Sequence, residues 1–553
     1  MSAVNFLSFE TAQSILPLLT AAVLLPWEAR LRRLTGERAL AYEKRKRQPA
    51  ELPPPMDNSA ATLSRLDGSD AVVVGTSAGR PVRIKEEIAW RSGLFVGCSG
   101  AGKTRGVVGI LKQLMHAMTT GKPCEIAVID AKNETVDLIR QVVGGWLLTL
   151  PDAQKEWLRR HVRVFMFGRD CVTPLRPYDN LGSIFTDAYS AGFRTTVTVD
   201  AGTADYTDGT RHARAMFDRV MTDLRWPLSS PVAVRFFTDT AFQIFVASRV
   251  RDGHLRSFIQ TMPITVPKGT AAAVCRRVDR EMSDPHIRAA KGVPPAALDE
   301  LLPAVEPGLT LARVGPDSVL TPTVAQELCL LRYFELLASV PTRSPKRPLL
   351  IVAEELAATV AGSPRLVLPI TQLLRMSRSF GVALWALAQD FENAATVEMA
   401  NAFALNARFV VAFQSREEAA WLAPHIPPDF APGVSDAERK RAFLREMESL
   451  PPRSFFLWVK GMDLLRCQAL EVPDPAVEFG RSAEELTEVF DREIGSRSTI
   501  TLEKAEELIA AFEADVLGKR DVAPAPEPKA RPTFSSMEDF LRHVEEEEED
   551  GDV

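Results

Sequence analysis

Cysteine and histidine are scarce in this chain, with six of the former and seven of the latter in 553 residues. Cys98, Cys124, Cys171, Cys275, Cys329 and Cys467 form no C-x-x-C pair, and the histidines form no H-x-x-x-H. A disulfide scaffold and a Cys/His zinc site are both disfavoured by that spacing. An internal repeat is also missing. So is a strong charge of one sign: 66 basic residues face 72 acidic ones, a net charge of −6, and seven of the acids fall in the last nine residues, so the rest of the chain stands at +1. Any basic surface must therefore be local. Near the N-terminus, Thr11–Trp27 is uncharged but only 17 residues long and contains Pro17 and Pro26, which is short for a membrane span. Positive charges follow it, from Arg30 to Arg47, instead of preceding it, unlike a secretory signal. The pattern suits a single anchor with the remainder in the cytoplasm, peripheral to or held in the inner membrane, or else an amphipathic or buried helix.

What is present is material for several cores. Apolar residues make up 46% and charged residues 25%, a soluble globular balance, and the length divides into about three to five units. Glu51-Leu-Pro-Pro-Pro55 ends an N-terminal apolar segment and basic linker, 1–60. Ala71–Gly75 and Pro81–Ile84 read as a hairpin. Apolar runs of strand length follow at Leu94–Val96, Ile126–Ile129, Val162–Phe167, Leu349–Ala353, Val382–Leu387, Phe409–Phe413 and Phe455–Val459. Their alternation with helical stretches predicts an α/β fold with a mainly parallel sheet covered on both faces. Residues 61–180 and 306–475 are expected to be the two parts of that core. Helical spacing at Thr210–Trp226, Pro231–Val250 and Ala271–Ser283 predicts an all-α insertion over 181–305. A helical extension is expected at 476–520, then a Pro-rich linker and acidic tail at 521–553. In that tail Met537, Phe540, Leu541 and Val544 form one apolar stripe behind a Ser535/Glu538 capping pattern. Such a stripe cannot bury itself alone, so 533–553 reads as a docking segment for a protein partner or for the protein's own body, or as plain disorder.

The chemistry centres on Gly97-Cys98-Ser99-Gly100-Ala101-Gly102-Lys103-Thr104, a G-x-x-x-x-G-K-[ST] loop between a strand and a helix. Glycines let backbone N–H groups turn toward phosphate oxygens, Lys103 reaches the outer phosphates and Thr104 ligates Mg²⁺. ATP and Mg²⁺ are thus the expected cofactors. A P-loop needs an acidic partner at the end of another strand. Leu349–Ala353 supplies it, with Glu354 in the metal-side position and Glu355 in the water-polarising one. A third strand ends in Gln389, suited to sense the γ-phosphate, and Arg375 and Arg378 precede that strand. Arg378 is the candidate finger for a neighbouring subunit's site.

Glu354-Glu-Leu-Ala, Ser377-Arg378-Ser-Phe-Gly-Val, Ala388-Gln389 and Asn406-Ala-Arg-Phe-Val-Val together resemble the second half of the FtsK/HerA superfamily of DNA-pumping ATPases, closest to type IV secretion coupling proteins. Val128-Ile-Asp130-Ala-Lys132-Asn-Glu134 is similar to that branch's D-P-K-G-E loop, which implies that Asp130 and Lys132 serve nucleotide binding. Arg176-Pro-Tyr-Asp-Asn180-Leu resembles its N-P-L turn, and Leu450-Pro-Pro-Arg-Ser-Phe-Phe the turn ending its ATPase core. The likeness runs over about 71–475. It implies a RecA-like core, a homo-oligomeric ring of six copies and non-specific DNA as partner. Departures are Glu354 where the family has Asp, Ala131 and Asn133 for Pro and Gly, and no paired N-terminal membrane helices. Two functions follow as expectations: an ATP-driven DNA translocase in conjugation, mobile-element transfer, defence or repair, or a nucleotide-dependent adaptor that recruits partners through its tail and helical insertion.

Overall fold

The computed structural model describes residues 71–174, 208–302, 306–316, 343–362, 367–389, 397–425, 434–462 and 464–518, with single positions between them. The expectations placed on 1–60, Arg176–Leu181 and 521–553 lie outside the described residues. Two compact units divide the chain: Met1–Arg169, Asn180–Thr196 and Leu302–Thr499 form the first, and Asp170–Asp179, Val197–Leu301 and Ile500–Val553 the second.

The first unit is built on one eleven-stranded sheet. Its strands in chain order are β1 (Ala71–Ser77), β2 (Arg80–Lys85), β3 (Gly93–Val96), β4 (Glu125–Asp130), β5 (Val162–Phe165), β7 (Leu309–Arg313), β8 (Leu349–Glu354), β9 (Val382–Ala388), β10 (Phe409–Phe413), β11 (Ser454–Val459) and β12 (Leu465–Ala469), while β6 (Cys171–Val172) and β13 (Ile500–Thr501) pair with each other in the second unit. Across the sheet the order is β2-β1-β12-β11-β10-β3-β9-β8-β4-β7-β5. From β10 to β5 every neighbouring pair is parallel, and from β10 to β2 every pair is antiparallel. Every residue of β3, β4, β8, β9 and β10 is buried, as a parallel sheet covered on both faces requires. Leu350, Val352, Trp385 and Phe95 on one face join the core with helices Lys103–Thr119 and Glu134–Thr149. Helix Val367–Phe380 packs on β9 and on helix Val397–Asn406.

The expected hairpin and the seven apolar strands are all in this sheet. Two further strands go beyond those expectations: β7, whose Leu-Thr-Leu-Ala-Arg mixes polar and apolar residues, and β12, whose Leu465 and Cys467 are buried while Arg466 and Gln468 are exposed. Neither is a continuous apolar run, so neither stands out from its flanks.

The second unit is helical. Helices Asp208–Leu224, Ser230–Thr238, Thr240–Ala247, Gly253–Thr265, Lys268–Glu281, Pro285–Gly292 and Leu502–Gly518 belong to it, around Phe217, Phe236, Val246 and Val274. The continuous helix predicted for Pro231–Val250 is two. Asp239 ends the first and caps the second, its carboxylate accepting from Phe242 N at 3.2 Å, because a short acidic side chain competes for backbone N–H groups. At the centre Glu281 accepts from Lys291 Nζ at 2.6 Å and from Arg214 at 3.1 Å, with Lys291 fully buried. Burial alone would push Glu281's pKa up, but the Lys291 and Arg214 charges outweigh it and hold the carboxyl below its ordinary value.

Candidate nucleotide-binding site

The glycine-rich loop leaves the carboxyl end of β3 through three positive-φ glycines, Gly97 (148°), Gly100 (77°) and Gly102 (104°). At Gly97 the conformation is doubly required, since a Cβ there would lie 2.6 Å from Phe413 Cβ. Cys98 N donates to Gln414 O at 2.9 Å, anchoring the loop to the end of β10. Cys98, Ser99 and Gly100 are exposed and Ala101 is buried. Helix Lys103–Thr119 begins on Gly102 with no side-chain cap. Its first N–H groups therefore face the loop's interior unclaimed by a side chain, the arrangement that attracts an anion. Lys103, 7% exposed, donates to Gly97 O at 2.5 Å and Cys98 O at 2.9 Å. Burial lowers its pKa, against the opposing charge of Glu355.

Opposite the loop stand the acids of β8. Glu354 is 4% exposed; its Oε1 accepts from Thr104 Oγ1 at 3.4 Å, while Oε2 has no hydrogen-bond donor among the described residues. Burial, and next the neighbouring Asp130 carboxylate, push the Glu354 carboxyl up to about 9. Glu355, just past the strand, has φ of +50°, and its carboxylate accepts from Lys132 Nζ at 2.7 Å. Asp130, fully buried, directs both oxygens at its own turn. Oδ1 accepts from Lys132 N and Asn133 N at 2.8 Å each, and Oδ2 accepts from Val136 N at 2.9 Å. Asn133 (φ 71°) then clasps Gly315, donating to its carbonyl at 3.1 Å and accepting from its N–H at 2.7 Å.

Gln389 follows β9 directly, and since Val96 pairs with Ala388 it comes level with Gly97. The strand it ends lies between the P-loop strand β3 and the acid-bearing β8. Arg375 is exposed on helix Val367–Phe380; Arg378 is on the same helix, and its side chain lies outside the described residues. The loop, Thr104, Glu354, Glu355, Lys132 and Gln389 are thus brought to one edge of the sheet. Sequence reasoning named these residues but missed that Lys132 pairs with Glu355. It also gave no role to Arg453, which sits against Gly102 at the same edge: Arg453 N donates to Ala101 O at 3.1 Å.

Thr104's hydroxyl and the donorless oxygen of Glu354 are hard oxygen ligands of the kind Mg²⁺ takes beside phosphate, and they fit that ion. Among the described residues, no group of three His, Cys, Asp or Glu gathers into an all-protein metal cage. No described helix is long and apolar enough to cross a membrane.

A P-loop after one strand of a parallel sheet, an acid at the end of a second and a polar side chain ending the strand between them define the RecA-like α/β P-loop fold expected from the FtsK/HerA resemblance. No family model matches the chain, and no curated protein matches it. Among solved structures it is similar to the bacterial conjugative coupling protein TrwBdeltaN70, unbound, at 13% identity over 75% of this chain and 92% of that one, with a TM-score of 0.45. It is likewise similar to VirB4 of Thermoanaerobacter pseudethanolicus, at 12% identity over 74% and 98%, TM-score 0.48. A third similar structure is the plasmid coupling protein TrwB in complex with ADP and Mg²⁺, at 14% identity over 77% and 96%, TM-score 0.46.

Proposed function

We propose that this protein is a Mg²⁺-dependent ATPase whose hydrolysis drives movement of DNA through a homo-oligomeric ring of six copies. The observation that supports the ATPase reading is the meeting of the P-loop with two β8 acids, Glu354 at 3.4 Å from Thr104 and Glu355 beside it. The DNA and ring parts rest on the sequence resemblance from Glu354 to Val411. In this reading Lys103 exchanges the carbonyls of Gly97 and Cys98 for phosphate oxygens. Thr104 and Glu354 would hold Mg²⁺, which supplies positive charge to the phosphates. Glu355 takes a proton from water as its oxygen bonds to the γ-phosphorus and the bond to the β-γ bridging oxygen breaks, releasing ADP and phosphate. Arg378 would neutralise developing charge in an adjacent copy's site.

Phosphate release is the direct test. Lys103→Ala should abolish nucleotide affinity, because that ammonium acts on the bound ground state; Glu355→Gln should bind ATP and stall, because that carboxylate acts only on the attacking water. Wild-type turnover in Glu355→Gln moves the assignment to Glu354. Added DNA should raise turnover, and more so at low salt, since binding through phosphates releases counterions. An ATPase indifferent to DNA favours the nucleotide-dependent adaptor instead.

A further inference from the structure

Arg453 has an unusual backbone and an unusual neighbour. It is not a glycine, yet its φ is +63°, a region that costs an L side chain strain and persists only where the surroundings enforce it. The enforcement is visible. Arg453 N donates to Ala101 O at 3.1 Å, and Ala469 N donates to Arg453 O at 2.7 Å, so the residue bridges the P-loop and β12. Its Cα and Cγ each lie 3.4 Å from where a Cβ on Gly102 would stand. The side chain itself is exposed and makes no hydrogen bond or ion pair among the described residues. A glycine would meet the same backbone demand without strain. Packing therefore does not account for an arginine here.

The sheet order says which part of a nucleotide this cation would meet. β11 runs antiparallel to β10, and Phe413 at the carboxyl end of β10 pairs with Phe455 near the start of β11. The residue before β11 therefore comes to the same edge as the P-loop. Glu354, Glu355 and Gln389 all lie on the β9 side of β3, whereas Arg453 lies on the β10 side. A nucleotide whose terminal phosphate points to the acids extends its inner phosphates the other way. We propose that Arg453, in its own subunit, binds the α- and β-phosphates of the nucleoside di- or triphosphate held by the P-loop, and that the strained turn is kept to aim it there. This deepens the ATPase reading and rests on it.

The test titrates MgADP and a non-hydrolysable MgATP analogue into the full chain as wild type, Arg453→Gly and Arg453→Met. Glycine relieves the φ, so Arg453→Gly should melt at the wild-type temperature or a few degrees above it. Both variants should bind both nucleotides about tenfold or more weakly, the loss expected of a charge-assisted hydrogen bond. The methionine variant keeps the stem at the same φ, so it carries the test if the glycine variant unfolds. ADP affinity within twofold of wild type in a folded variant overturns the proposal, as does a loss confined to the triphosphate, which would mean contact with the γ-phosphate. A wild-type chain that binds neither nucleotide sinks the ATPase reading and this inference together.

Discussion

Glu354 carries a proton problem that follows from where it sits. Its carboxyl is buried beside Asp130 and pushed up to about 9, so at neutral pH the nucleotide-free site favours the protonated acid. The sign of the stability effect follows. A raised folded-state pKa contributes stability that is full below the ordinary value of 4.5 and is lost as pH rises through about 9. Wild type should therefore lose melting temperature relative to Glu354→Gln as the pH rises from 5 to 9. A metal ligand must be ionised, so MgADP binding at pH 7 should release a proton. Calorimetry in buffers of different ionisation enthalpy should show that release in wild type and its absence in Glu354→Gln. Lys132 poses the second residue-scale question. Its ion pair with Glu355 at 2.7 Å is partly exposed, with side chains 36% and 16% accessible, and is worth no more than about 1 kcal/mol to stability. Its chemical effect is larger, since a carboxylate turned to an ammonium partner is directed away from an attacking water. Lys132→Met should leave the melting temperature nearly unchanged and raise basal turnover. A fall in turnover would return Lys132 to the nucleotide-binding role that the D-P-K-G-E likeness implies.

Among the helices, glycine permits close approach at a few positions. A Cβ on Gly144, within helix Glu134–Thr149, would lie 2.0 Å from Leu486 O, a backbone atom of helix Ala483–Glu493. A backbone atom cannot rotate aside, so Gly144→Ala must separate the two helices and the ion pair they share, Arg140 to Asp491 at 2.6 Å. The expected cost is about 2–3 kcal/mol, the upper range for overpacking, read from denaturant melts. Gly269 is the control. It lies in helix Lys268–Glu281, and a Cβ there would have nothing within 4 Å, so Gly269→Ala should stabilise by about 0.5 kcal/mol through helix propensity and a less free unfolded chain. The opposite signs of two identical substitutions separate packing from propensity.

For the whole molecule, two compact units argue against a single cooperative transition. The helical unit's polar centre gives a handle on its own melting. Glu281, Lys291 and Arg214 are all buried, and Glu281 pairs with both cations. Glu281→Gln removes from this buried site the carboxylate that both Lys291 and Arg214 address, which should cost about 3–5 kcal/mol, seen in scanning calorimetry as one transition moving down while another stays. Acid should imitate it. Because Glu281's folded pKa is lowered, its contribution is present above the ordinary value of 4.5 and is lost as the pH falls below that toward the folded value.

What the sequence determined alone is what lies contiguous in the chain. The P-loop's glycines with Lys103 and Thr104, the strand leading to Glu354 and Glu355, and the apolar runs of the parallel sheet are each set within about ten residues, where backbone sterics and apolar periodicity act directly. The tertiary structure decided what depends on strand order. Lys132 and Glu355 meet across 223 residues because β4 and β8 are neighbours. Arg453 reaches the P-loop because β11 folds back antiparallel on β10. The mixed strands β7 and β12 gain their pairing only from partners already in the sheet. Ile500 likewise finds Val172, in a two-residue pairing with no local pattern to announce it. Side-chain preferences specify which segments can be strands or helices; which segments stand side by side is settled by the shared burial of their faces, and the chemistry at the sheet's edge follows from that order.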